Sequence, residues 1–210
     1  MSDDLRGPMI SAIAGFLGVL VGTALVPWIQ RYFSRKRAAR YLAIRVVCVL
    51  DKYVDDCASV AGDWGRENHE GYSEAEISSP PTPTYPSDID WHSIDYSDMY
   101  DLLALPAVAE KAANVVGGAG EYADAPDYDG FFETRSFEYA TLGLKAFELT
   151  VKLWNKYRIR ELGRTEWDPV EHMKNQLQKV KEIQNKRRAY YEAQVLPSMP
   201  ASPATAPIRV

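Results

Sequence analysis

Six titratable side chains crowd together in SDIDWHSIDYSDMYD: Asp88, Asp90, His92, Asp95, Asp98 and Asp101. Hard cations take several oxygen ligands, and general acid–base catalysis pairs carboxylates with histidine. This stretch is therefore the candidate metal or hydrolytic centre. Its spacing fits no ligand loop, however. An EF-hand beginning at Asp88 would need glycine where Ser93 stands and glutamate where Met99 stands. Turns and helix caps also recruit Asp, and that use explains the spacing better than a ligand set.

The other motifs point away from chemistry. His69 and His172 are isolated, and GGAG at residues 117–120 lacks the Lys-Ser/Thr of a phosphate loop. No nucleophile elbow is present. Cys48 and Cys57 are nine residues apart, about 13.5 Å along a helix and on opposite faces. A disulfide between them is excluded, so both are expected as small core hydrophobes in a reducing compartment. No Cys/His ligand set appears, and no cofactor is expected.

Aromatic residues are the second candidate. Trp91, Tyr96, Tyr100 and Tyr128, with Tyr85 and Tyr122, lie in acidic surroundings, where amphipathic rings make interface anchors. The competing reading is that Trp91 and its neighbours close over a helical bundle. Pro80, Pro81, Pro83 and Pro86 carry PxxP spacing, which suits a stiff spacer better than a partner's ligand.

Residues 9–29 decide where these groups would work. They read MISAIAGFLGVLVGTALVPWI with no ionisable side chain. As a helix the run spans about 31 Å, against a hydrocarbon thickness of ~30 Å. Its Leu, Ile, Phe and Val content favours insertion by roughly 3–6 kcal/mol. The sequence thus predicts a transmembrane helix over 9–30. The acidic MSDDLRG in front and the basic cluster behind argue against a cleaved signal peptide. By the positive-inside rule, residues 1–8 lie outside and the body is cytoplasmic at the inner membrane. Arg31, Arg35, Lys36, Arg37 and Arg40 would face anionic lipid. Ala14, Gly18 and Gly22 form a small-residue face suited to a second copy or another membrane helix, although such spacing is also common in single-pass segments by chance.

The rest of the chain predicts an all-α fold: an N-terminal transmembrane helix followed by a cytoplasmic helical bundle with long acidic loops. Residues 31–61 are a basic juxtamembrane region and amphipathic helix, with Leu42, Val46, Leu50, Tyr53, Cys57 and Val60 at helical spacing. Residues 62–97 are an acidic, Pro-containing loop, with a short helical turn at 73–77 suggested by Ser73 and Glu76. The bundle occupies 98–194. Ser97 is the expected cap of its first helix, Pro106 falls in a first turn, and Gly117 and Gly118 mark the stop. A helix over 131–161 carries two adjacent apolar stripes and belongs at the centre. Asp168-Pro169 starts the last helix, and residues 195–210 are a disordered tail.

Net charge is −5, yet residues 62–129 carry −13. Such an acidic middle excludes nucleic acid as a partner. Three functions remain. The first is a non-catalytic scaffold, accessory or regulatory subunit that binds another protein. The second is a membrane-tethered metal-dependent hydrolase using Asp88, Asp90, His92 and Asp95. The third is an immunity-type protein packing on another membrane protein.

Overall fold

The computed structural model describes residues 21–123, 128–160 and 167–195. Four α-helices dominate it: α1 (Val26–Gly62), α2 (Tyr96–Glu121), α3 (Asp129–Tyr157) and α4 (Pro169–Val195). A π-helical turn (Val21–Leu25) leads into α1. Two short strands, β1 (Arg66–Glu67) and β2 (Ser73–Glu74), form an antiparallel hairpin, and a 3-10 turn spans Trp91–Ser93.

As its paired stripes require, α3 is the hub against which α1, α2 and α4 all pack. Along α1 the buried side chains include Leu42, Val46, Leu50, Tyr53, Val54 and Cys57, and this spacing of three and four is the one the sequence carries. On α3 the stripe Leu142, Ala146, Leu149 and Leu153 is buried, whereas Phe137 of the companion stripe reaches solvent. Gly143 sits where α1, α3 and α4 meet. A Cβ there would lie 2.8 Å from the Cys57 Cβ and collide with the Met173 sulfur. Only a residue without a side chain lets the three helices close this far.

Helix starts follow the expected chemistry at one end and depart from it at another. The Asp168 carboxylate accepts from the Val170 amide at 2.8 Å and the Glu171 amide at 3.3 Å, capping α4. For α2 the cap residue is Asp95 rather than Ser97. Pro106 lies inside α2, not in a first turn. The helix also runs through Gly117 and Gly118 to Glu121, because burial of Ala109, Ala112 and Val116 offsets the ~1 kcal/mol that each helical glycine costs.

The loop between α1 and α2 is ordered against the bundle. Ile89 and Ile94 join the core, and Pro83 is buried with them. Where a helical turn is expected at 73–77, Ser73–Glu74 form the second strand of the hairpin and no helix follows. Asn68 explains the switch: its side-chain oxygen accepts from the Glu70 and Tyr72 amides at 2.9 and 3.0 Å. Those bonds fold the chain back on itself before a helix can nucleate.

Among the described residues no helix is long and apolar enough to cross a membrane. Residues 9–20, with Ala14 and Gly18, lie outside the description, as does nearly all of the expected tail. Gly22 is described, and nothing lies within 4 Å of the position its Cβ would take.

Candidate functional site

The acidic cluster is dispersed into ion pairs that tie the loop and α2 to the other helices. Asp88 meets Arg45 of α1 at 2.6 Å. Asp90 accepts from the His92 amide at 3.0 Å and caps the 3-10 turn. Asp95 pairs with Lys156, and Asp101 lies 2.8 Å from Lys152. The His92 carbonyl takes a bond from Arg35 over 3.1 Å. Asp98 is the buried member, placed between Lys152 at 2.9 Å and Lys156 at 2.5 Å, both on α3. Burial raises the proton affinity of its carboxyl, but the two ammonium groups outweigh that and hold it below the ordinary carboxylate range. Burial lowers Lys156, but Asp95 and Asp98 outweigh it and raise the group, while Asp101 and Asp98 raise Lys152. Among the described residues no three His, Cys, Asp or Glu side chains are arranged to hold a metal ion.

The aromatic candidates divide. Trp91 is half-buried and meets Tyr85 edge-on with ring centroids 5.5 Å apart. Tyr85 is itself anchored, its hydroxyl donating to the Leu102 carbonyl at 2.9 Å. Trp91 therefore closes over the bundle. Tyr128 is also half-buried, just before α3. Tyr96 and Tyr100, by contrast, are 77% and 73% exposed. With exposed Leu103 they follow an i, i+4, i+7 ladder along the outer face of α2, where aromatic and aliphatic rungs align.

Periodicity gave no warning of the polar residues inside α3. Arg135 and Asp63 form a salt bridge of 2.9 Å with both side chains withdrawn from water. Arg135 also donates to the Ile77 carbonyl, while the Asp63 carboxylate accepts from the Gly65 and Ile77 amides at 3.0 and 2.9 Å. These bonds seat the start of the long loop on α3. Gly65 takes a left-handed φ of 78°, and any side chain there would strike the Phe132 ring. Nearby, Glu133 is buried and bound through both oxygens by Arg187 of α4. Arg187 thus bridges α4 to α3, two turns before the end of α4, whose last turn carries no basic residue.

Of the two cysteines, Cys57 is buried as expected and Cys48 is exposed. Cys48 falls on the outer face of α1 beside Tyr41 and Ile44, which are also exposed. A nine-residue separation puts the two thiols on opposite faces, and only one face meets the bundle.

The basic cluster lines an open recess. The π-helical turn and the first part of α1 expose Leu25, Val26, Trp28, Ile29, Tyr32 and Phe33. Arg35, Lys36, Arg37 and Arg40 follow, and Lys156, Tyr157 and Arg158 at the end of α3, together with Asp95, complete the lining. The recess has a volume of about 910 Å³. Lys36 rests over the Tyr32 ring at 4.5 Å, and Arg40 donates to the Arg158 carbonyl at 3.3 Å. Arg31 is exposed on the same stem but does not line the recess.

No protein-family model, curated protein or solved structure matches this chain.

Proposed function

We propose that the chain is a single-pass membrane protein whose N-terminus is outside and whose helical body is a cytoplasmic, non-catalytic scaffold or accessory subunit. It binds another protein through the outer face of α2. The observation that carries this reading is the exposure of Tyr96 and Tyr100 in register with Leu103. Three large side chains left in water along one helix face make a ready groove-filling ladder. Asp90 shares a surface recess with Tyr96, so a partner presenting Lys or Arg is complementary in charge there and can stack its cations on the tyrosines.

The anchor is supported by the uncharged run at residues 9–29, the apolar and aromatic start of α1, and the arginines that follow. The use of Asp88, Asp95, Asp98 and Asp101 as ion-pair partners supports a structural role for the acidic stretch.

Affinity purification of the full chain in a neutral detergent tests the surface. The double substitution Tyr96→Ala/Tyr100→Ala is expected to retain native helicity and melting while losing the co-purifying protein. Undiminished recovery of that protein rejects α2 as the binding face. The anchor is tested separately by alkaline carbonate extraction, in which release of the chain from the membrane fraction rejects it.

A further inference from the structure

We infer that the recess between the stem of α1 and the end of α3 is a binding site for the phosphate of an anionic lipid headgroup, an inference that rests on the membrane-anchored reading. A string of basic residues on one helix is ordinarily only a topology signal. Here the fold adds a second wall from far along the chain. Lys156 and Arg158 join Arg37 and Arg40, with Asp95 among them, in lining a space of about 910 Å³, large enough for a phosphodiester headgroup.

The cations are unevenly committed. Lys156 is held by Asp95 and Asp98, and Arg40 is fixed on the Arg158 carbonyl. That bond also satisfies a carbonyl at the electronegative end of α3, which would otherwise disfavour an anion. Lys36, Arg37 and Arg158 have no carboxylate partner among the described residues. Arg37 of α1 and Arg158 at the end of α3 both line the recess, and a pair of guanidinium groups suits the planar, forked recognition of phosphate oxygens. Tyr32 and Tyr157 supply rings of the kind that settle at headgroup depth.

Arg158 is a second, independent observation. It is the one non-glycine residue with positive φ among the described residues, at φ 52° and ψ 47°. A helix end in this conformation ordinarily takes glycine. Arginine stands here where glycine would be free of strain, and the residue lines the recess.

Position identifies the lipid as the source of the phosphate. The recess lies next to Tyr32 and Phe33, within a turn or two of the apolar run. A membrane inserted there brings headgroups to its mouth.

The test uses the full chain in dodecyl maltoside, with the melting midpoint followed during titration with dioleoyl phosphatidylglycerol, dioleoyl phosphatidylcholine or inorganic phosphate. Phosphatidylglycerol is expected to raise the midpoint saturably, and phosphatidylcholine to leave it unchanged. Arg37→Gln should raise the half-saturating phosphatidylglycerol concentration by about fivefold, the usual worth of one basic charge at a membrane surface. Arg158→Gly should weaken the response similarly while raising the lipid-free midpoint, because it removes backbone strain together with a cation. Lys181→Gln on the exposed side of α4 is the charge-matched control. Equal weakening by Lys181→Gln, or no response to phosphatidylglycerol, overturns the site. Full stabilisation by inorganic phosphate with nothing added by the lipid overturns the lipid source. Co-flotation with pure phosphatidylcholine vesicles reads the anchor independently: a chain that floats yet ignores phosphatidylglycerol rejects the recess alone.

Discussion

The Tyr85 hydroxyl donates to the Leu102 carbonyl over 2.9 Å, and Leu102 is four residues before Pro106. In an unbroken helix the amide of residue 106 would take that carbonyl, but proline has no amide hydrogen. Leu102 is buried, so water is a poor substitute. The Pro-rich loop therefore supplies, through one tyrosine, the donor that a proline inside α2 removes. This explains why an interior proline is tolerated and why the loop is pinned at this point.

Tyr85→Phe keeps the ring against Trp91 but orphans the carbonyl, and should destabilise the fold by about 1–3 kcal/mol. In a Pro106→Ala background the restored amide takes the carbonyl, and the same substitution should cost less than about half as much. Denaturant unfolding of the detergent-solubilised chain, arranged as a double-mutant cycle, measures the difference. Additive effects would break the link between the two residues.

Asp63 and Arg135 make a prediction with a defined pH sign. Burial pushes the Asp63 carboxyl up, but the Ile77 and Gly65 amides and the Arg135 guanidinium pull it further down, leaving it below its ordinary value. A depressed folded-state value means the stabilisation is fully present above the unfolded value of ~3.9. It is lost as pH falls through the folded value. Asp63→Asn should cost about 3–5 kcal/mol at neutral pH, because Arg135 is left as an uncompensated buried charge. The gap between wild type and variant should narrow in acid below pH ~4. Unfolding curves at neutral and acid pH check both, and a pH-independent gap would contradict the ion pair.

The parts of this fold legible in the sequence are those set by neighbours within one turn. The stripe of Leu42, Val46, Leu50, Tyr53 and Cys57, the cap at Asp168, and the two-sided burial of α3 all follow from spacing alone. Arg135 was hidden for the opposite reason. It looks like a solvated charge until Asp63, seventy-two residues earlier, is folded over it. Lys152 and Lys156 are like charges four residues apart on α3, and nothing in that spacing shows that Asp98 is buried between them. The recess was half visible as well: the arginines of α1 stand out, whereas Arg158 acquires its significance only from a left-handed backbone and its place beside Arg40.

Gly143 tests how closely the three helices approach. Gly143→Ala places a methyl group against Cys57 and Met173, and such overpacking should destabilise by about 1–3 kcal/mol. Met173→Ala on its own removes a fully buried side chain and should cost about 2–5 kcal/mol. If contact at this junction is the cause, the double substitution is less harmful than the sum of the singles. The unfolding midpoints of the four proteins decide it.

The two cysteines should differ sharply in reactivity. Cys48 is exposed on α1, while Cys57 is buried in the core. Burial pushes the Cys57 thiol up to about 12, the Tyr53 hydroxyl opposing this and Asp56 adding to it. Since the thiolate is the reacting form, a thiol at about 12 rather than 9 has a thiolate fraction on the order of a thousandfold lower at neutral pH. Iodoacetamide should therefore modify Cys48 alone in the native chain, and Cys57 only through unfolding. Added urea should accelerate labelling of Cys57 in step with loss of helicity and leave Cys48 nearly unchanged. Peptide mass analysis of a labelling time course reads the two sites separately. Comparable native rates would mean that α1 and α3 open where the core places them in contact.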